Sequence, residues 1–259
     1  MELLAPSHWR CVDFISDLHL QSSDRATFAA WAAYMQSTQA DAVFILGDLF
    51  EVWVGDDALL AGSFEAECVS VLRSASQRLA LCIMQGNRDF LMGPALMQAC
   101  NATALPDPSV LIFGGHHWLL SHGDALCTDD LEYQAFRTQV RNATWQADFL
   151  QKPLPERQAI AQGIRTASEN RKREHTEYAD VDTQAALRWL HAAQSTHLIH
   201  GHTHQPAHHA LDAQHSRTVL SDWDMRATAP RAEVLRLALG GDGTTLARIP
   251  AHAIAKLPD

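Results

Sequence analysis

Residues 42–57, AVFILGDLFEVWVGDD, contain the pattern that decides the fold. The first five form a continuous apolar run of strand length, which Gly47-Asp48 ends. Two further runs resemble it, and helix-like stretches separate the three: strands at 11–16 and 79–84, helices at 24–35 and 65–78. Apolar strands without polar alternation, separated by helices, predict a parallel sheet covered on both faces.

The rest of the chain has a different pattern. A hairpin is predicted at 110–121 around Gly114-Gly115, and the charged stretch that follows has helical but no strand character up to about residue 193. Strands resume at 197–200, 218–220, 233–239 and 245–249. We therefore predict a mixed α/β sandwich of two sheets flanked by helices. It forms one domain over residues 1–259 with a helical insertion at about 131–193.

Composition excludes several classes of protein. Hydrophobic residues make up 47% of the 259 positions, which is enough for a large core and too many for a disordered chain. The net charge of -10 argues against a nucleic-acid partner. Five scattered cysteines favour a reducing cytoplasm, and neither a spanning apolar run nor a secretory leader is predicted. The sequence indicates no protein partner.

Five short motifs share one feature, a metal-ligand type of residue directly after an apolar strand. They are Asp17-Leu18-His19, Gly47-Asp48, Gly86-Asn87-Arg88-Asp89, His122-Gly123-Asp124 and Gly201-His202-Thr203-His204. Because sites in α/β sheets gather at the carboxyl ends of strands, we expect the five to converge on one crevice.

The residue types in these motifs suit a pair of divalent cations. Mixed imidazole and oxygen donors favour manganese, iron, cobalt or zinc, and the carboxylate of Asp48 has two oxygens with which to bridge two ions. Two such ions about 3.5–4 Å apart can activate a water molecule for in-line displacement at phosphorus. They would also neutralise the substrate's phosphates, which explains how an acidic protein binds an anion.

Each motif residue also has a simpler explanation when taken alone. Asp17 could cap a loop, Asp48 and Asn87 could belong to turns, and His122 or His202 could be an ordinary buried histidine. The occurrence of all five motifs in order favours the metal site. Most of the remaining histidines are predicted to lie on the surface: His8, His116, His117, His175, His191, His208, His209, His215 and His252.

The ordered motif set resembles the calcineurin-like metallophosphoesterase superfamily, which implies that the predicted sandwich is of the metallophosphoesterase type. Many of its members have histidine where this chain has Arg88, and that histidine is taken to protonate the leaving group. Arginine stays protonated, so it cannot act as a general acid, although it can clamp a phosphate. Arg88 therefore favours a substrate whose leaving group needs no proton, such as a phosphate ester released from a pyrophosphate.

Four longer segments resemble one family within it, the UDP-2,3-diacylglucosamine hydrolases of lipid A biosynthesis. They are ILGDLFEVWVGDD (45–57), GNRDFL (86–91), SHGDALCTDDLEYQAFR (121–137) and LIHGHTHQP (198–206). The resemblance implies manganese-dependent hydrolysis of the substrate's pyrophosphate to UMP and 2,3-diacylglucosamine 1-phosphate. It also implies a peripheral location on the cytoplasmic face of the bacterial inner membrane and a lipid-linked nucleotide sugar as the partner.

The resemblance also assigns residues. It implies one ion on Asp17, His19, Asp48 and His204 and a second ion on Asp48, Asn87, His122 and His202. The catalytic set is then Asp48, Asn87, Arg88 and His122, and the substrate contacts are Asn87, Arg88, Asp130, Ser168, Lys172, His175 and His202. The basic run 171–173 is either a solvated face or a contact with an anionic membrane.

The helical insertion is expected to form a lid that binds the acyl chains. Its apolar residues are Phe136, Val140, Trp145, Phe149, Leu150, Ile160 and Ile164, about half of which should pack the insertion against the core. Three alternatives stay open: a different pyrophosphatase or phosphodiesterase of the superfamily, a nuclease, and a non-catalytic binding module. Net charge disfavours the nuclease, and the retention of all seven ligand residues disfavours the module.

Overall fold

The computed structural model describes residues 1–174, 180–241 and 243–254, and the side chains of these residues other than 167–174. The strands are β1 Glu2–Leu4, β2 Cys11–Ile15, β3 Ala42–Leu46, β4 Ala80–Met84, β5 Thr103–Leu105, β6 Ser109–Phe113, β7 His116–Leu120, β8 His197–His200, β9 His208–Ala210, β10 Ser216–Val219, β11 Glu233–Gly240 and β12 Gly243–Pro250. The helices are α1 Arg25–Ser37, α2 Phe64–Ala75, α3 Pro94–Cys100, α4 Leu131–Val140, α5 Ala143–Leu150, α6 Leu154–Glu174, α7 Thr183–Ala192 and α8 Ala251–Ile254.

The strands form two six-stranded sheets, as predicted. The first has the order β12-β11-β2-β3-β4-β5, in which β2 to β5 are parallel and β11 pairs antiparallel to β2. The second has the order β1-β6-β7-β8-β10-β9, in which β7, β8 and β10 are parallel. Both sheets are therefore mixed, and the parallel strands of each send their carboxyl ends toward one edge.

Alternation along β3 explains why its sequence is apolar throughout. Phe44 and Leu46 point into the core between the two sheets, where they meet Trp118 and Ile199 of the second sheet. Val43 and Ile45 point to the other face of the sheet, which α1, α2 and α3 cover. The sheet is buried on both faces at β2, β3 and β4, as the continuous apolar run predicted, whereas the edge strand β12 is partly exposed.

Helix boundaries follow local capping rules. The carboxylate of Asp24 accepts a hydrogen bond from the backbone N–H of Thr27, at 3.1 Å, and α1 begins directly after it, as predicted. Asp130, Asn142 and Asp182 cap α4, α5 and α7 in the same way. None of the helices in the described part of the chain is both long and apolar enough to cross a bilayer.

The predicted helical insertion has two structural parts. The helices α4, α5 and α6 stand beside the carboxyl edge of the first sheet, whereas α7 packs its buried residues Ala186 and Leu190 against Leu198 of the second sheet. The strands β1, β5 and β9 have only three residues each and were not predicted from the sequence. Such short edge strands have little pattern of their own and depend on the neighbouring strand for their hydrogen bonds.

Candidate metal centre and substrate cavity

The five motifs converge, as the sequence predicted. Asp17, Asp48 and Asn87 follow β2, β3 and β4 at the carboxyl edge of the first sheet. His122 and His202 follow β7 and β8 of the second sheet. Backbone hydrogen bonds join neighbouring motifs, since Asp17 N–H donates to Gly47 O and Gly201 N–H donates to His122 O. The crevice thus lies where the two sheets present the same end of their parallel strands.

One group of donors consists of Asp17, His19 and His204. An Asp17 oxygen lies 3.3 Å from His204 Nε2, and the Nε2 atoms of the two histidines are 3.3 Å apart. One ligand atom from each of the three residues lies within 4.8 Å of the others. Asp17 is fully buried, while His204 is 37% exposed toward the crevice. These three side chains can hold one cation.

A second group of donors surrounds the amide oxygen of Asn87. This Oδ1 atom lies 2.9 Å from His122 Nε2 and 2.8 Å from His202 Nδ1. His122 is fully buried, and its other ring nitrogen, Nδ1, donates to Leu46 O at 2.9 Å. That bond leaves Nε2 unprotonated in the neutral ring and directs its lone pair toward Asn87. Metal-binding histidines are commonly oriented by such a bond.

Asp48 lies between the two groups. Its Oδ2 atom is 4.0 Å from His19 Nε2 and 3.7 Å from His122 Nε2. Its other oxygen, Oδ1, accepts the backbone N–H of Arg88 at 2.8 Å, which fixes the plane of the carboxylate. The donors are nitrogen and oxygen atoms of the kind that first-row divalent cations bind. The residues present therefore fit two cations that share Asp48.

The backbone at this centre adopts a conformation that side chains normally avoid. Five of the seven predicted ligands have positive φ, between 47° and 69°: Asp17, His19, Asp48, His202 and His204. Each such residue costs roughly 1–3 kcal/mol and persists only where its surroundings enforce it. The recurrence of this conformation at five ligands indicates a site in which ligand placement outweighs local backbone stability.

Charge within the centre favours cations. Burial by itself lowers the pKa of His122, but the nearby carboxylates of Asp48 and Asp17 outweigh it and raise that pKa to about 9. The pKa of Asp17 is lowered, because interactions with His204, His122 and His19 outweigh the opposing effect of burial. Burial, followed by repulsion from His122, lowers the pKa of His202 to about 4. The buried carboxylates thus create a negative field that positive charge must compensate.

Three further residues support the centre although no role was predicted for them: Glu51, Asp124 and Tyr133. Glu51 Oε2 lies 3.3 Å from His19 Nδ1, and its other oxygen lies 3.4 Å from the Arg88 guanidinium. Asp124 is fully buried and accepts hydrogen bonds from Tyr133 Oη at 2.5 Å and Arg137 Nε at 2.8 Å. The Tyr133 ring faces His202, with centroids 5.8 Å apart. Glu51, Asp124 and Tyr133 could have been found from the sequence, because all three lie inside the segments 45–57 and 121–137 that resemble the family.

A cavity of about 550 Å³ opens beside the metal centre. Its inner end is lined by Asn87, Arg88, His202 and His204, and Asp130 also borders it. From the core side it is lined by Trp53 and Phe90, and from the insertion by Tyr133, Phe136, Trp145, Phe149, Ala161, Ile164 and Arg165. The lining of the cavity therefore combines polar side chains of the candidate metal centre with a largely apolar set of side chains from the insertion.

The predicted lid residues divide between cavity and core. Phe136, Trp145, Phe149 and Ile164 line the cavity, whereas Val140 is buried, Ile160 packs on the main core and Leu150 is 41% exposed. Two predicted substrate contacts, Ser168 and Lys172, belong to α6, but the structure describes only their backbone, and their side chains fall outside the described residues. His175 also lies outside the described residues.

The sequence of residues 12–206 matches the family model for calcineurin-like phosphoesterases. The chain belongs to this family. Calcineurin-like phosphoesterases use divalent metal ions, and the ligand clusters described above fit that requirement. The family also has the architecture seen here, two mixed sheets flanked by helices.

Several proteins that are 40–46% identical to this chain share one name. The UDP-2,3-diacylglucosamine hydrolase of Chromobacterium violaceum is 46% identical over 222 residues, covering 82% of this chain and 90% of the relative. The enzymes of that name from Aromatoleum aromaticum and Xanthomonas axonopodis are 42% and 40% identical. The first alignment covers 81% of this chain and 88% of the relative, and the second covers 87% and 98%. This phosphoesterase is thus similar to hydrolases of that name over most of both chains.

Proposed function

We propose that this phosphoesterase hydrolyses the pyrophosphate bond of UDP-2,3-diacylglucosamine to give UMP and 2,3-diacylglucosamine 1-phosphate. The observation that carries the proposal is the cavity that joins the metal centre to the apolar side chains of α4, α5 and α6. The polar residues of the metal centre suit a diphosphate, and the apolar side chains of the three helices suit two acyl chains. The shared name of relatives that are 40–46% identical supports the same substrate.

The two donor groups support the proposed metal ligands. Asp17, His19, Asp48 and His204 would hold one ion, and Asp48, Asn87, His122 and His202 would hold the other, with Mn²⁺ as the proposed metal. When bound, two such ions would lower the pKa of water and compensate the negative charge on the phosphate oxygens. The burial of Asp17, Asp48 and His122 keeps these donors away from bulk water, so their charges act strongly on whatever binds.

Arg88 binds the substrate diphosphate. Its backbone N–H is fixed on Asp48, and its guanidinium borders the cavity, where Glu51 lies 3.4 Å away. A planar guanidinium can donate two parallel hydrogen bonds to phosphate oxygens. The leaving group of a pyrophosphate is itself a phosphate ester, so hydrolysis needs no general acid at this position. Asn87, His202 and Asp130 also line the cavity and are proposed to complete the contacts.

The helices α4, α5 and α6 form a lid within a single domain, and the acyl chains lie beneath it. Phe136, Trp145, Phe149 and Ile164 provide the apolar wall. Burial of each CH₂ group there contributes up to about 0.8 kcal/mol. Ser168, Lys172 and His175 are the proposed polar contacts near the sugar, on the sequence evidence alone.

The lid also gives access to the lipid. Leu131, Leu150 and Ile164 expose 76%, 41% and 37% of their surface on the three lid helices. We place the protein at the cytoplasmic face of the inner membrane, where these side chains contact the bilayer and the substrate enters from it. Exposed apolar side chains on the lid helices are suited to such a surface.

The test is an assay of UMP release by metal-free protein with and without added Mn²⁺. We expect equimolar UMP and acylated sugar phosphate, only in the presence of metal. UDP-glucosamine derivatives with long, short and no acyl chains should be hydrolysed with steeply falling efficiency. Equal efficiency for the three would reject the acyl-binding lid and leave a general nucleoside-diphosphate-sugar pyrophosphatase. Absence of UMP with every metal and substrate would reject the activity itself.

A further inference from the structure

A second cluster of metal-ligand side chains lies away from the catalytic centre. His191 is in the last turn of α7, and Asp212 and His215 are in the turn that joins β9 to β10. One donor atom from each of the three lies within 4.8 Å of the other two. This turn precedes β10, while the catalytic ligands follow the strands parallel to it. The cluster therefore lies at the opposite end of the strands of the second sheet from the catalytic centre.

Hydrogen bonds hold Asp212 and His215 in a defined arrangement. Asp212 Oδ1 accepts the backbone N–H groups of Gln214 and His215, both at 2.8 Å. His215 Nδ1 lies 2.9 Å from both carboxylate oxygens. Nδ1 and the carboxylate thus face each other across one proton, and a cation that replaces this proton would contact both His215 and Asp212.

His191 completes the cluster from another element. Its ring lies edge-on to that of His215, with centroids 4.6 Å apart. His191 is exposed, as the sequence predicted, whereas His215 is only 8% exposed and is held against the sheet. The carboxyl end of a helix also carries partial negative charge, which favours a cation beside the last turn of α7.

We propose that His191, Asp212 and His215 form a third cation site, separate from the catalytic pair, which takes Zn²⁺. Two imidazoles and one carboxylate, with water in the fourth position, are a common zinc ligand set. Zinc at its usual bond lengths brings tetrahedral donors to about 3.3 Å from one another. The exposed His191 side chain, at the end of a helix, can supply the small movement that closure requires. A bound ion would join the end of α7 to the turn between β9 and β10.

The test counts the zinc bound by the complete, initially metal-free chain. Equilibrium dialysis at micromolar free zinc, followed by elemental analysis, compares the wild type with His191→Ala. Because His191 is exposed, its loss should not disturb folding, and His191→Gln provides a second variant that keeps a polar side chain. His116→Ala removes another exposed histidine, the first residue of β7, and is the matched control.

The wild type and His116→Ala should each bind one more zinc ion per chain than either His191 variant. This difference does not depend on how many ions the Asp48 centre holds, nor on the substrate proposed above. Equal zinc counts in all four proteins would overturn the proposal. An extra ion that appears only at millimolar free zinc would also overturn it, since it would indicate adventitious binding to a surface histidine.

Discussion

The carboxylate of Asp17 accepts a hydrogen bond from the backbone N–H of His202, at 3.0 Å for Oδ2 and 3.2 Å for Oδ1. The two residues are 185 positions apart and belong to different sheets. Asp17 therefore serves two purposes, since it is a proposed ligand beside His204 and also fixes the loop that carries both His202 and His204. An Asp17 variant would disturb both donor groups, so other residues must be used to separate them.

Asp48 and His204 provide that separation. Asp48→Ala should lose both metal ions and nearly all turnover, because its Oδ2 atom faces His19 and His122 alike. His204→Ala removes a half-exposed ligand of one group only, so it should lose about one ion per chain. Elemental analysis of the two purified variants checks this expectation. Similar metal contents in the two would contradict the shared carboxylate.

Arg88→Ala should reduce turnover by about 10²–10³ while both ions stay bound, because it removes an electrostatic stabiliser of the substrate diphosphate. Arg88→Lys should recover little, since an ammonium cannot reproduce the planar pair of donors. The matched control is Arg73→Ala, which removes an exposed arginine on α2. Unchanged turnover in Arg88→Ala, at full metal content, would contradict the role.

Gly86→Ala should weaken metal binding although it changes no ligand. A Cβ atom at this position would overlap Oδ1 and the backbone nitrogen of Asp48, so the carboxylate must move. Gly163→Ala, on α6, is the control because a Cβ there meets nothing within 4 Å. The control should bind metal normally and gain about 0.5–1 kcal/mol of helix stability. Equal metal affinity in both variants would show that the Gly86 contact does not constrain Asp48.

Ala161→Tyr should shorten the apolar part of the cavity that Ala161 lines. We expect a larger loss of efficiency for long-chain than for short-chain substrates, measured as kcat/KM for each. Gln162→Tyr places the same ring on the exposed side of α6 and should leave the ratio unchanged. An equal loss for both chain lengths in Ala161→Tyr would argue that the acyl chains lie elsewhere.

His197 should make folding stability depend on pH. Burial, with repulsion from His208, lowers the pKa of His197 to about 4, whereas the unfolded residue titrates near 6.5. The unfolded chain thus binds the proton more tightly, so stability is complete above pH 6.5 and falls as the pH drops through that value. Between pH 7 and 5 the wild type should lose roughly 1–2 kcal/mol more than His197→Gln. Urea unfolding at both pH values measures the difference, and parallel losses would contradict the shift.

The sequence by itself determined the central strands of the sheets and the polar residues that follow them, although it did not reveal the short edge strands β1, β5 and β9. Continuous apolar runs such as 42–46 need burial on both faces, so they predicted the covered first sheet and its helices. The placement of Asp17, Asp48, Asn87, His122 and His202 after strands predicted that they would meet, because parallel strands end at one edge of a sheet. Local chemistry and strand direction are sufficient for those conclusions.

Only the tertiary structure decided how these residues are combined. The position of Asp48 between His19 and His122, the left-handed backbone at five ligands and the bond from His202 to Asp17 depend on contacts between separate strands. The packing of α7 on the second sheet and the proximity of His191 to the turn at Asp212 depend on the same long-range order. The physical reason is that side-chain geometry at distances of 3–4 Å is set by how the two sheets pack. Sequence patterns specify the faces that must be buried, and they leave the mutual position of those faces undetermined.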